Sequence, residues 1–239
     1  FPGIMKKGAD NGVADLQLLS RAEVLALEPT LSDTIRAAIL VPREYVIDPW
    51  SAPLAYLKQM VENGGRALFN AEVTGGHFDG DKWQLETVRG QVHARYVVNC
   101  AGLYGDILNQ NVLGNSDFTI KPRKGQFVVF DMAASQFLNS VILPVPTERT
   151  KGIVIFPTIF GNVAVGPTAE DQDGRNDASV DKDNLQALRA QAIEKIPAFA
   201  NIPVTATYAG IRPATGKREY QVSEDPEQNW ITLGGIRST

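Results

Sequence analysis

An α+β fold is what this sequence predicts, with a mixed, largely antiparallel sheet carrying helices. Three observations lead there. A helix-bearing stretch, roughly residues 49–112, is set inside a part dominated by strand signals. From residue 119 onward, Val-, Ile- and Phe-rich runs follow one another at close spacing with Pro and Gly between them, as in an antiparallel sheet. And ARYVVNCAGLYGDIL (94–108) reads as a buried strand that ends in small residues and turns straight into a helix.

Taken in order, LLSRAEVLALEP (18–29) is a short helix: Ser20 is its N-cap, Glu23 completes a capping box and Pro29 stops it. AAILVPREYVIDP (37–49) reads as a strand, a polar turn and a second short extended piece. Asp48 then caps, and Pro49 opens, an amphipathic helix that Gly64 and Gly65 close. From residue 66 a strand, a turn at Gly75-Gly76 and two alternating strands joined at Arg89-Gly90-Gln91 lead into VVNCAG. Segments 119–131, 140–146, 152–159 and 162–169 are strands. The loop EDQDGRNDASVD (170–181) caps a helix over 183–196, and TATYAGIRPAT (205–215) is the next strand. The last residues, ITLGGIRST, are a strand running into a glycine turn.

Composition narrows the function. The 239 residues are 44% hydrophobic and 21% charged, enough for one large or two small cores without a disordered bias. Twenty-seven acidic against 23 basic residues give a net charge of -4, with no Lys/Arg run, so no nucleic-acid footprint is present and a small ligand is expected. One cysteine, Cys100, excludes an internal disulfide and fits a reducing, cytoplasmic compartment, with peripheral attachment to a membrane left open. Cys100 is read as a core residue, having no partner cysteine and standing in an apolar run. No apolar run reaches the roughly 20 residues of a membrane span. The two histidines, His77 after the glycine turn and His93 facing outward on a hairpin, are poor general bases, and with one cysteine they make no metal site. No GxGxxG occurs, and GGHFDG and GGIRST have the wrong spacing.

IDPWSAPLAYLKQMVENGG, NAEVTGG, VVNCAGLYGDIL, KPRKGQFVVFD, AGIRPATG and LGGIRST, in that order and together spanning most of the chain, resemble the FAD-dependent D-amino-acid oxidase superfamily. The resemblance is strongest to its branch related to glycerol-3-phosphate dehydrogenase and 2-hydroxyglutarate oxidase. It implies FAD as cofactor, held partly by an N-terminal dinucleotide fingerprint not found here. The chain is therefore expected to be part of a longer protein and, alone, to hold FAD only weakly and to be inactive. It further implies a substrate-binding domain over 1–48 and 113–220 and a partial FAD-binding domain over 49–112 and 221–239.

Carried onto matching positions, the resemblance makes Val73, Ala101, Gly102, Gly234 and Gly235 cofactor-binding residues. Read without it, NCAG is simply a buried strand ending in a tight turn. Arg212, in AGIRPATG, becomes the residue that grips the substrate's anion, since a guanidinium fork holds a carboxylate or phosphate through two bonds. Arg237, in GGIRST, is a second substrate-side candidate whose turn lies over the flavin in relatives. Lys124 and Gln126 are read first as a surface pair, and Tyr45 and Tyr208 as half-buried strand aromatics, with site lining as the alternative for all four. No catalytic acid or base and no electron acceptor is singled out.

Two functions compete. One is part of an FAD-dependent oxidoreductase that removes hydride from a small anionic metabolite: a 2-hydroxy acid, glycerol 3-phosphate or an amino acid. The other is a non-catalytic domain that binds a ligand or partner without a nucleotide-binding half.

Overall fold

The computed structural model describes residues 1–145, 152–217 and 219–237. Pro146, at the end of the expected strand 140–146, and Ser238 and Thr239 of the last turn lie outside the described residues.

Helix α1 (Pro2–Asp10) escapes sequence reading because two glycines weaken it, although Pro2 suits its first turn and Lys6 pairs with Asp10 at 2.8 Å. Strand β1 (Gln17–Ser20) runs into α2 (Arg21–Leu27) through the expected capping box. There the Ser20 N–H donates to the Glu23 carboxylate at 2.8 Å and the Glu23 N–H to the Ser20 hydroxyl. Strand β2 (Ala37–Leu40) pairs antiparallel with β1. The second extended piece forms no strand, and Tyr45, expected as a half-buried strand aromatic, is 79% exposed. Asp48 caps as expected, accepting from the Trp50 N–H at 2.9 Å and the Ser51 hydroxyl, so helix α3 (Ser51–Glu62) starts just after Pro49. Bonds from Gly64 N–H to Val61 C=O and Gly65 N–H to Met60 C=O close it as a Schellman cap.

Strands β3 (Val73–Phe78), β4 (Trp83–Thr87) and β5 (Gly90–Ala94) form an antiparallel meander. Gly75 and Gly76 are not a turn. They lie inside β3, and a Cβ at Gly76 would stand 3.0 Å from Leu85 Cδ2, so close packing explains that glycine. Then come β6 (Val97–Asn99), a 3-10 turn over Gly102–Tyr104, α4 (Gly105–Leu113), β7 (Lys121–Phe130), β8 (Val154–Pro157) and β9 (Val163–Gly166). The expected strand over 140–146 contracts to one bridge, Ile142 to Ile155. Strand β10 (Glu170–Asp171), helix α5 (Lys182–Lys195) capped by Asp181, and strands β11 (Val204–Ala214), β12 (Gln221–Asp225) and β13 (Trp230–Gly234) complete the chain.

The chain divides into two compact units. One comprises Phe1–Ala52, Gln126–Thr168 and Val180–Tyr208; the other comprises Pro53–Gly125, Ala169–Ser179 and Ala209–Thr239. In the first, β9 pairs antiparallel with β7 and β8. Their inward residues Val128, Phe130, Ile155, Val163 and Val165 pack on Leu188, Ala192 and Ile196 of α5 and its exit, with Phe130 and Phe199 rings 4.9 Å apart. In the second, the β3–β5 meander buries Trp83 and Leu85 against Trp230 and Leu108. Here β6 pairs parallel with β13, which pairs antiparallel with β12. The fold is thus mixed, with helices and mostly antiparallel pairing. Among the described residues, no helix is long and apolar enough to cross a membrane.

Candidate functional site

The parallel pair in the second unit organises the site. Val97 lies opposite Trp230 and Asn99 opposite Thr232, so the chain leaves both strands at the same level. Ala101-Gly102 follow one strand and Gly234-Gly235 end the other. The C-terminal edge of parallel strands is where open α/β sheets bind ligands. Gly102 has φ 56° and Gly235 φ 70°, left-handed conformations that a side chain disfavours. A Cβ on Gly102 would meet nothing within 4 Å and Ala101 is exposed, so this backbone is open to close approach. Gly234 has another reason to be glycine: a Cβ there would fall 2.6 Å from Phe118 Cζ. At Gly235 it would fall 3.0 Å from Thr215 Cγ2, which puts the segment just after Arg212 against the same turn. A cavity of about 300 Å³ beside it is lined by Asp117, Phe118, Lys121, Thr215, Lys217 and Gln221.

Asn99, which sequence reading passed over, shapes the first turn. Its carbonyl oxygen accepts from the Ala101 N–H at 3.0 Å, and its amide donates to the Gly105 C=O at 2.8 Å and to Asn109 at 2.7 Å. Trp230 Nε1 donates to Asn109 and Thr232, completing a network of buried polar groups. An Asn immediately before a small-residue turn was the available signal.

Arg212 belongs to a second cluster, built on β7 and β11. Its guanidinium lies close against Gly125: a Cβ there would stand 2.9 Å from Cζ. Burial and then the charge of neighbouring Arg123 pull this guanidinium below its ordinary value, which for arginine still leaves it protonated. Arg123 is itself held by a two-bond ion pair to Asp171 on β10, at 2.5 and 2.9 Å. The bond from Arg123, opposed by burial and helped by the Arg123 charge, keeps the Asp171 carboxyl below its usual range.

A third arrangement sits behind the β6 turn. Arg175 pairs with buried Asp106 through two bonds, at 2.7 and 3.0 Å, donates to the Leu103 C=O, and lies 5.9 Å from the Tyr104 ring centre. Tyr104 in turn bonds Asn176. Asp106 also accepts from the Ile120 and Ile107 N–H groups, at 2.8 and 2.9 Å. Burial pushes the Asp106 carboxyl up, but the bonds from Arg175 and Ile120 outweigh it and hold the group below its ordinary value.

The remaining candidates are placed as follows. Val73 is half-buried and packs its side chain on the Trp83–Leu85–Trp230 cluster. Arg237 follows the Gly235 turn, half-buried. Gln126 is not on the surface: it is fully buried, accepts from the Asp181 N–H at 2.8 Å and donates to its carboxylate, thereby bracing the cap of α5. Lys124 is half-buried opposite Glu170. Tyr208 stacks on Phe127 with ring centres 4.6 Å apart but is 46% exposed, more open than the half-buried strand aromatic expected. Cys100 is exposed, not core, because strand alternation after buried Asn99 turns it outward. His77 and His93 are exposed and both lie opposite Gln84.

The chain is 30% identical to a glycerol 3-phosphate dehydrogenase of Caloramator mitchellensis, over 98% of this chain and 49% of the relative. It is 28% identical to the mitochondrial L-2-hydroxyglutarate dehydrogenase of Bos taurus, over 70% of this chain and 38% of that one. The solved structure of an L-alpha-glycerophosphate oxidase from Mycoplasma pneumoniae, with FAD bound, superposes with a TM-score of 0.83 at 27% identity, covering 94% of this chain and 60% of the other. The chain spans about half the length of the curated relatives it matches. A family model described as FAD dependent oxidoreductase matches residues 3–239, nearly end to end, and the chain belongs to that family.

Proposed function

We propose that this chain supplies the substrate-holding part, and one side of the cofactor site, of an FAD-dependent oxidoreductase acting on a small anionic metabolite. The observation that carries the substrate class is the seat of Arg212: a protonated guanidinium, half-buried beside a second cation and laid against a glycine, gains most from an anionic ligand. The relatives named for glycerol 3-phosphate and L-2-hydroxyglutarate support a phosphate- or carboxylate-bearing alcohol as substrate.

FAD fits the residues present in part. The open backbone at Ala101-Gly102 and the left-handed turn at Gly235 offer two adjacent strand ends over which a flat ring system can lie, and Val73 and Gly234 are proposed to support them. No glycine-rich phosphate loop accompanies them. When bound, the flavin supplies the hydride acceptor. The chain's own contribution is orientation, as Arg212 holds the anion and so fixes the carbon that loses hydride. Arg237 is proposed to stand on the ring side. A cytoplasmic location, free or at a membrane surface, completes the proposal and is read by cell fractionation.

The test is Arg212→Lys in the full-length enzyme. The charge remains but the planar fork is lost, so kcat/KM should fall roughly ten- to hundred-fold, for a loss of about 1.5–3 kcal/mol, while flavin content stays unchanged. Arg237→Lys should shift the flavin's reduction potential more than substrate affinity. Unchanged kinetics for Arg212→Lys would remove Arg212 from the site.

A further inference from the structure

We infer that residues 171–176 form a strap tying the seat of the anion-holding arginine to the cofactor-facing turn, and that Arg175 is the positioning residue for that turn. This rests on the assignment of Ala101-Gly102 to the cofactor. All of its contacts lie within the second unit.

Each end of the strap has its own fastening. At one end Asp171 grips Arg123 by two bonds while the Gln172 N–H donates to the Pro122 C=O at 3.0 Å, which fixes β7 just ahead of Gly125, where Arg212 lies. Four residues later Arg175 reaches the other end, with two bonds to Asp106 in the first turn of α4 and a third to the carbonyl of Leu103, the residue after Gly102. Asn176 bonds Tyr104 beside it.

A general packing contact would not need this chemistry. Two charges taken from water are a poor way to add stability, and an apolar pair of similar size would hold a loop as well. What ion pairs of this geometry add is direction: a planar fork meets a carboxylate in one orientation, and Asp106 is itself fixed by the Ile107 and Ile120 N–H groups. The Leu103 carbonyl is thereby held at a set distance from a rigid point. Gly102, at φ 56° and with nothing within 4 Å of the place its Cβ would take, is held on that flank by backbone turn bonds, Tyr104 N–H to the Ala101 C=O and Gly105 N–H to its own C=O, to which Arg175 adds the charged fastening. On the opposite flank Asn99 holds Ala101.

The experiment uses the apo form of the full-length enzyme carrying Arg175→Gln, with Arg175→Lys as a variant that keeps charge and reach should the first fail to fold. Two quantities are read: amide hydrogen exchange over Leu103–Ile107, and the dissociation constant for added FAD. Loss of charged hydrogen bonds predicts local exchange and FAD dissociation each roughly ten- to hundred-fold higher for Arg175→Gln, with Arg175→Lys between it and the parent. Unchanged exchange at Leu103–Ile107, or exchange that rises equally throughout the chain, would overturn the strap. Faster local exchange with unaltered FAD affinity would leave a fastened corner but overturn its assignment to the cofactor, and with it the inference. Asp171→Asn supplies the opposite signature, a raised KM with FAD affinity preserved; a changed FAD affinity with preserved KM would reverse the two ends and sink the proposal.

Discussion

Gly125 and Arg212 show how one missing carbon can shape the proposed anion seat. The guanidinium occupies the volume of an absent Cβ, so any larger residue at 125 must push it away. Because the displaced atoms are the far end of a flexible side chain, the fold should yield at little cost. Gly125→Ala is therefore expected to leave the melting temperature and flavin content nearly unchanged while kcat/KM drops by up to about a hundred-fold, the scale of a misplacement of about 1 Å. Steady-state kinetics beside a thermal melt would check it, and a large loss of melting temperature with intact kinetics would make Gly125 merely a packing residue. Arg212 is put forward by AGIRPATG through family resemblance, and the proposed anion seat keeps it. Gly125 was not, because attention in PRKGQ falls on its polar neighbours; a glycine inside a strand was the clue that something approaches closely. Gln126 misled for the related reason that alternation alone cannot tell a solvated polar side chain from one buried on a helix cap.

At the scale of elements, those with strong local chemistry were readable: the capping box of α2, the Asp48 and Asp181 caps, and strands β7 to β9. Those that depend on partners were not. β12, a polar QVSED with three exposed residues, exists because β13 pairs with it, and the short β6 is a strand because β13 runs parallel beside it. The corner from β6 into α4 depends on Asp106, whose folded-state pKa is depressed despite burial. A depressed carboxylate adds stability that is fully present above its unfolded value of about 3.9 and is lost as pH falls through the lower folded value. The chain should thus lose stability steadily below about pH 4. Asp106→Asn removes the titrating group, so its unfolding free energy should be lower than the parent's near neutrality and the gap should narrow in acid. Chemical denaturation from pH 3 to pH 7 measures that gap, and a gap independent of pH would mean that Asp106 acts only through its shape.

Across the whole molecule, the net charge of -4 sets a background against which the cations around Arg212 are a local feature, so attraction of an anion must come from short range. Cofactor binding follows a similar logic of what the chain does and does not hold. Ala101-Gly102 and Gly234-Gly235 can meet one side of a dinucleotide, but the sequence holds no GxGxxG loop to receive its pyrophosphate, and a ligand with its charged portion left in water recovers little of the entropy lost on binding. The 239-residue chain, expressed by itself, should therefore purify colourless and take up FAD only weakly. Visible absorbance after exhaustive dialysis settles the matter. A yellow preparation with one flavin per chain would mean that the two glycine turns, together with the cavity lined by Lys121 and Lys217, already make a complete site. In a colourless preparation that still shifts its melting temperature with millimolar FAD, the turns would act as one wall of a site whose phosphate cradle must come from elsewhere in the enzyme.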